Sequence, residues 1–275
     1  MIRRCRPLLG TFVEISVPEE TRGASIDAGF VAIAHIQRCM SFHEPESDLG
    51  RLRQSTQCEC VTVDANTVHV IRIAQQLHQA SGGTFDVTIG RALVRDGFLP
   101  RVGLPHLNRF TGTMDDIEIV DDTHIRAHRR VLIDLGGIAK GYAVDCAVET
   151  LQAAGVTRGI VNAGGDLRVF GDDPQTIHIR SGDGGLTTSL TLQNMALASS
   201  CNFADRRRHR GQSLTPHIGT SRAPVLIDET ISVMAPRCVI ADAMTKVAMT
   251  DPSRANRILA AYDGRVLRYD ERRAA

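Results

Sequence analysis

The sequence predicts an α+β fold, and three observations predict it. Strand-like alternation and helix-like stripes both occur, they follow no regular βαβ order, and the short strands succeed one another as hairpins do. Residues 11–17 alternate like a strand, and Pro18 ends it. Residues 24–39 read as a helix. After Asp64 comes a clearer one: Val70, Ile73, Ala74 and Leu77 fall at i, i+3, i+4 and i+7, and Gly82-Gly83 stops the pattern. Residues 131–135 read as a short buried strand, and Gly136-Gly137 turns the chain into a helix that runs to about Ala154. Val144, Ala147, Val148 and Leu151 form its inner face, and Gly155 closes it. Residues 159–166 are a strand breaking into a glycine turn. Strands at 176–180, 187–192 and 230–234, a helix at 240–250 and a strand at 265–269 complete the pattern.

Length and charge narrow the function. The 275 residues suit one large domain or two intimately packed halves, with enough chain to bury a core without staples. A net charge of +1 gives no footprint for a nucleic acid partner. Trp is absent and Tyr occurs three times, which disfavours a base-stacking strand binder. The apolar runs fall far short of a membrane span, and the basic N-terminus lacks a signal-peptide core. The seven cysteines show no C-x-x-C spacing and read as reduced thiols. The expectation is a cytoplasmic protein. Of 32 basic residues only Lys140 and Lys246 are lysine. Since the two cations differ in geometry, lysine is expected where a compact point charge is required.

Three glycine turns offer chemistry. Between a strand and a helix N-terminus, Gly136-Gly137 lets backbone N–H groups approach a phosphate, and the helix dipole favours the anion. Lys140, in the first helical turn, is disfavoured by that dipole unless an anion is near. A tight connection with a surface lysine fits the same spacing. Asn162-Ala163-Gly164-Gly165-Asp166 and Gly83-Thr84-Phe85-Asp86-Val87-Thr88 likewise fit either a binding turn or an ordinary hairpin turn and helix C-cap.

In order, these segments resemble motifs of the ApbE family of FAD:protein FMN transferases. Leu9-Gly10-Thr11 is similar to the family's Met-Gly-Thr, and 41–49 to its Ser-Thr-Tyr-x-x-x-Ser-x-Leu. Residues 83–88 resemble Gly-x-Phe-Asp-x-Thr, and 134–145 are nearly the family signature. Residues 162–166 and the stretch from Ser232 through Ala241-Asp242-Ala243 complete the order. The resemblance implies one domain over 1–275, two-lobed, with mixed and antiparallel sheets, flanking helices and FAD in the cleft between lobes. It implies Mg2+ on the diphosphate and transfer of FMN through a phosphoester to a threonine of an acceptor flavoprotein, with AMP leaving.

The same resemblance implies roles. Phe42, Thr84, Phe85 and Asp86 hold the flavin end, and Asp134 and Lys140 bind FAD near the phosphates. Leu9, Asn162, Gly164, Gly165, Asp166, His217 and Ile218 join the FAD site. Gly137, Asp242 and Thr245 are the expected metal ligands, and Asp242, His217 and Lys246 the expected catalytic residues.

Departures qualify this. The family's metal helix reads Ala-Asp-Ala-x-x-Thr, whereas here lysine, Lys246, stands in the threonine's place, with Thr245 one position earlier. An ammonium group brings no oxygen to a metal; instead it can pair with Asp242. Ser200-Cys201-Asn202-Phe203 replaces Ser-Gly-Asp-Tyr, and Thr220 with Ser221 interrupts the His-Ile-x-Asp-Pro loop. Residues 205–210 read as a solvated charge run. On sequence, an FAD-binding relative without transfer, serving as carrier or regulator, stays open, as does an FAD pyrophosphatase.

Overall fold

The computed structural model describes residues 1–101, 103–180, 186–202, 206–209, 211–220 and 222–270. Phe203, Asp205, Arg210 and Ser221, which figure in the motifs above, lie outside them. The chain opens with β1 (Ile2–Leu8), β2 (Thr11–Val17) and the long helix α1 (Gly23–Met40). Next come α2 (Asp48–Gln54), β3 (Cys60–Thr62), α3 (Ala65–Ala80), α4 (Gly90–Arg95), β4 (Ile117–Asp121) and β5 (His124–Ala127). Then follow α5 (Ala139–Ala153), β6 (Gly159–Ala163), β7 (Asp166–Phe170), β8 (Gln175–Arg180), β9 (Leu186–Leu192) and β10 (Ala196–Ser200). The chain closes with β11 (Arg207–His209), β12 (Gln212–Leu214), β13 (Glu229–Ala235), α6 (Cys238–Thr250), α7 (Pro252–Leu259) and β14 (Arg265–Asp270).

These elements form two compact units. The first comprises residues 1–37, 138–204 and 227–275; the second, residues 38–137 and 205–226. The first unit is built on a seven-stranded sheet of order β1-β2-β6-β7-β10-β13-β14, antiparallel throughout. Register follows burial. Val13, Ile15 and Val17 of β2 are fully buried, and Val13 lies opposite Ala163 of β6. The β8–β9 ribbon adds Ile179 and Leu192 to a cluster with Leu167, Val169, Leu197 and Met234. On α5 the inner face is the expected one: Val144, Ala147, Val148 and Leu151 have no exposure. Helix α6 is apolar nearly all round, as a helix must be when it is covered on every side. The second unit holds the sheet β3-β5-β4, the pair β11-β12 and helix α3. Asp64 caps α3 by accepting from the Asn66 N–H at 2.8 Å.

Two expectations need correction. Residues 131–135 are buried as forecast but form no strand; Leu132 accepts from the Gly90 N–H at 3.1 Å and Asp134 donates to the Val87 carbonyl at 2.8 Å. Two isolated bonds satisfy the backbone there, so no ladder is required. Of the charge run at 205–210, Arg207 and Arg208 are exposed as forecast, yet Arg207–His209 form β11 rather than a mobile segment. Arg207 begins a strand, donates to the Gly97 carbonyl at 2.7 Å, and stacks its guanidinium on Phe98, 4.7 Å from the ring centroid. Strand β1, three of whose residues are arginine, is an edge strand in which Arg4 and Arg6 pair with Asp27 of α1, so no apolar alternation announced it.

Helices α5 and α6 cap each other. Asp145 of α5 is wholly buried and accepts from the N–H groups of Cys238 and Val239, both at 3.0 Å, in the first turn of α6. It also receives Arg168 at 2.9 Å. Asp242 of α6, equally buried, accepts from the Gly141 N–H in the first turn of α5 at 3.0 Å. Each carboxylate thus satisfies orphan donors and offsets the positive dipole end of the other helix. The crossing demands glycine: a Cβ on Gly141 would sit 2.3 Å from the Cys238 carbonyl oxygen. Asp145→Ala is expected to cost roughly 3–5 kcal/mol, because it strips a buried charge network of its centre. Urea unfolding measures it, and a loss under about 1 kcal/mol would refute the capping role.

Among the described residues no helix is long and apolar enough to cross a membrane, and none of the seven cysteines is in a disulfide. Burial pushes the Cys39 and Cys146 thiols up to about 12 and holds that of Cys238 well above its ordinary value, whereas Cys5, Cys58 and Cys60 are exposed. At pH 8 a thiol of pKa about 12 is roughly one part in ten thousand thiolate, the reactive form. Iodoacetamide followed by peptide mass mapping is therefore expected to modify Cys5, Cys58 and Cys60 first. Early labelling of Cys146 or Cys238 would contradict these burial effects.

Candidate active site

In the first unit, two tight turns meet at one end of the sheet. Leu9 and Gly10 both take positive φ, 56° and 70°, the pairing that a two-residue hairpin loop requires. The Leu9 N–H donates to the Gln37 side chain at 2.7 Å, which anchors a residue that leucine rarely adopts. Opposite, Gly164 and Gly165 turn β6 into β7 at φ 65° and 103°, and the Gly165 N–H donates to Asn162 Oδ1 at 2.8 Å. A side chain at Gly164 would strike Thr11, 2.5 Å away. The Leu9-Gly10-Thr11 and 162–166 motifs are therefore neighbours.

Beside these turns, Asp166 begins β7 and is nearly buried. It accepts an ion-paired hydrogen bond from Lys140 of α5, whose Nζ also lies 3.9 Å from Asp242 Oδ2. Lys246, one helical turn beyond Asp242, places Nζ 2.6 Å from Asp242 Oδ1 and 3.2 Å from the Asp242 carbonyl oxygen. The only two lysines of the chain thus converge on its two adjacent buried carboxylates. The lysine side chains keep 33% and 23% of their exposure, against 4% and 0% for Asp166 and Asp242.

The electrostatics follow. Burial alone would lower Lys140, but Asp242 and Asp166 outweigh it and its pKa is raised, so it stays an ammonium. Burial raises Asp166, with Asp242 adding to the shift despite both lysines. For Asp242 burial also acts upward, yet Lys140, Lys246 and the Gly141 N–H prevail and hold it below the ordinary carboxylate range.

Magnesium needs hard oxygen ligands in tight octahedral array. Around Asp242 these are already committed. Oδ1 takes Lys246, Oδ2 takes the Gly141 N–H, and Thr245 turns its hydroxyl inward, donating to the Asp242 carbonyl at 2.7 Å and meeting Ser200 Oγ at 2.8 Å. This donor set does not fit the ion, and Thr245 does not stand in for the displaced family threonine.

In the second unit, the 83–88 turn and the His217 loop come together. Asp86 Oδ1 closes an Asx turn with the Thr88 N–H at 2.7 Å, and Oδ2 accepts from Arg222 at 2.7 Å. Arg222 also donates to the Thr88 carbonyl at 2.8 Å. Its own loop is closed by Val225 N–H to the His217 carbonyl, 2.8 Å, and by Gly219 N–H to Ala223, 2.9 Å, with Thr220 exposed at the turn. Ile218 packs on Ala92 and Leu93. Thr84, Phe85 and Phe42 are buried, Phe42 in a cluster with Val94, Leu104, Phe110 and Leu132. Asp134 accepts from the Gly136 N–H at 3.3 Å, and Gly137 is half-buried. Sequence reasoning missed Arg222, which ties two expected motifs together from 136 residues away. It also gave Asp145 no role, though that residue seats the helix carrying Asp242 and Lys246.

The same fold recurs in solved α+β proteins. The ApbE protein of Thermotoga maritima superposes with a TM-score of 0.82 at 23% identity, over 98% of this chain and 97% of that one. The apo flavinyl transferase ApbE of Pseudomonas stutzeri gives 0.80 at 18%, over 98% and 94%. The chain belongs to the ApbE family, whose model matches residues 9–267. A curated relative, the FAD:protein FMN transferase of Haemophilus influenzae, is 27% identical over 232 residues. That match covers 75% of this chain and 66% of the relative, just under two thirds of its length.

Lys140→Met leaves two buried carboxylates sharing one lysine. The expected cost near pH 7 is roughly 2–3 kcal/mol, less than for a fully buried pair because a third of Lys140 stays in water. Since the folded pKa of Asp166 is raised, its proton returns as pH falls and the repulsion lapses. Urea unfolding at neutral and mildly acid pH is expected to show a smaller penalty in acid; an equal or larger one would contradict the coupling.

Proposed function

We propose that the protein is an FAD:protein FMN transferase, joining FMN through a phosphoester to a threonine of an acceptor flavoprotein and releasing AMP. The observation that carries the reading is the pair of ammonium groups held on the buried Asp166 and Asp242, in a member of a family whose curated relatives are named FAD:protein FMN transferase. In the reaction the threonine oxygen attacks the FMN phosphorus. One P–O bond forms, the bridging P–O bond to AMP breaks with its electron pair leaving on AMP, and the hydroxyl proton passes to solvent. Such displacements ask mainly for positioning and for charge to offset the nonbridging oxygens.

Lys140 and Lys246 supply that charge, and the buried Asp166 and Asp242 hold them in place. Leu9, Asn162, Gly164 and Gly165 contribute two adjacent turns, of which Gly10 and Gly165 present backbone with open space where a side chain would stand. In the second unit Phe42, Thr84, Phe85 and Asp86 serve the flavin end, with Asp134 toward the phosphates and His217 and Ile218 toward the adenylate. Residues 1–275 act as one transferase domain. The family's Mg2+, with Gly137, Asp242 and Thr245 as ligands, enters no step here, because the oxygens of Asp242 and Thr245 are already engaged.

Incubation with FAD and an acceptor flavoprotein is expected to give an FMN mass increment on an acceptor threonine and equimolar AMP. Free FMN with AMP would instead identify a pyrophosphatase, and FAD uptake without AMP a carrier; either would displace the transferase reading.

A further inference from the structure

We infer that Lys246 is a built-in cation that takes the place of a divalent metal, so that FAD uptake and diphosphate activation in this protein need no Mg2+. The inference rests on the transferase reading and adds a metal-free mode of action to it. An ammonium group has three N–H donors. Lys246 spends two on Asp242, at Oδ1 and at the carbonyl oxygen, and its side chain remains 23% exposed, which leaves a donor for a phosphate oxygen. Lys140 lies on the other oxygen of the same carboxylate at 3.9 Å. Asp242 is thus bracketed by two ammonium groups.

Charge balance points the same way. Two lysines and two aspartates sum to zero, so the cluster is neutral before any ligand arrives. A further doubly charged cation would enter against two ammonium groups already in contact with the carboxylate it needs. Space for its ligands is also taken, since the Thr245 hydroxyl is bound to the Asp242 carbonyl and to Ser200. Composition adds an independent sign. A chain with 32 basic residues uses lysine twice, and both lysines stand here. A planar guanidinium fork would not fit its charge between Oδ1 and the carbonyl of one residue as a compact ammonium does.

FAD binding followed by flavin fluorescence, in EDTA and in Mg2+, tests the inference without relying on turnover. Wild-type affinity is expected to agree within about twofold between the two conditions, and titration calorimetry of Mg2+ into the protein to show no binding heat. Lys246→Thr restores the oxygen and removes the ammonium. It is expected to lose about tenfold or more in FAD affinity in EDTA, the worth of one charge-assisted hydrogen bond, and to regain it with Mg2+. Wild-type protein that takes up FAD only with Mg2+ overturns the inference and leaves the transferase reading standing. So does a Lys246→Thr variant that binds FAD in EDTA as tightly as wild type. Failure of the wild type to take up FAD in either condition overturns both. The wild-type comparison requires no variant to fold.

Discussion

Two helices that begin against each other impose the central constraint on this molecule. The first turns of α5 and α6 approach so closely that only glycine fits at 141, and each presents unsatisfied N–H groups in a region without water. Asp145 and Asp242 answer for each other's helix. A buried carboxylate is costly unless it is hydrogen-bonded and charge-matched, and both are. Once Asp242 is committed to this role, its remaining oxygen must face a cation, and the site follows from that requirement.

In the proposed transfer reaction the cluster serves stability and chemistry with the same atoms. Asp166 and Asp242 lie near enough to repel, and the two lysines relieve the repulsion. What results is a cationic face with rigid anionic backing. Preorganised charge of this kind offsets the developing charge of a phosphoryl displacement without reorganising during the reaction.

Much of the fold was legible in the chain. Alternation in 11–17, the α3 stripe, the inner face of α5 and the helix at α6 all depend on burial of side chains near in sequence, and periodicity reports that directly. Strand β1 was not legible, because an edge strand rich in arginine has no apolar rhythm. Residues 131–135 misled for the opposite reason: an apolar run announces burial but not a partner strand. In the site, the motif order picked out Lys140, Asp166, Asp242 and Lys246, and the pairing of Lys246 with Asp242 follows from an i, i+4 spacing on one helix. Arg222 and Asp145 had no such signal, since their partners lie 136 and 93 residues away.

By itself, the sequence determined the helical and strand periods, the positions where glycine frees the backbone, and the scarcity of lysine. These are local quantities, set by sterics and by side-chain chemistry within a few residues. Tertiary structure alone decided that Lys140 meets Asp166, that Thr245 turns inward to Ser200, and that α5 and α6 cap one another. Those outcomes depend on how closely two backbones approach, and the close packing of a folded interior fixes that distance where no local pattern records it.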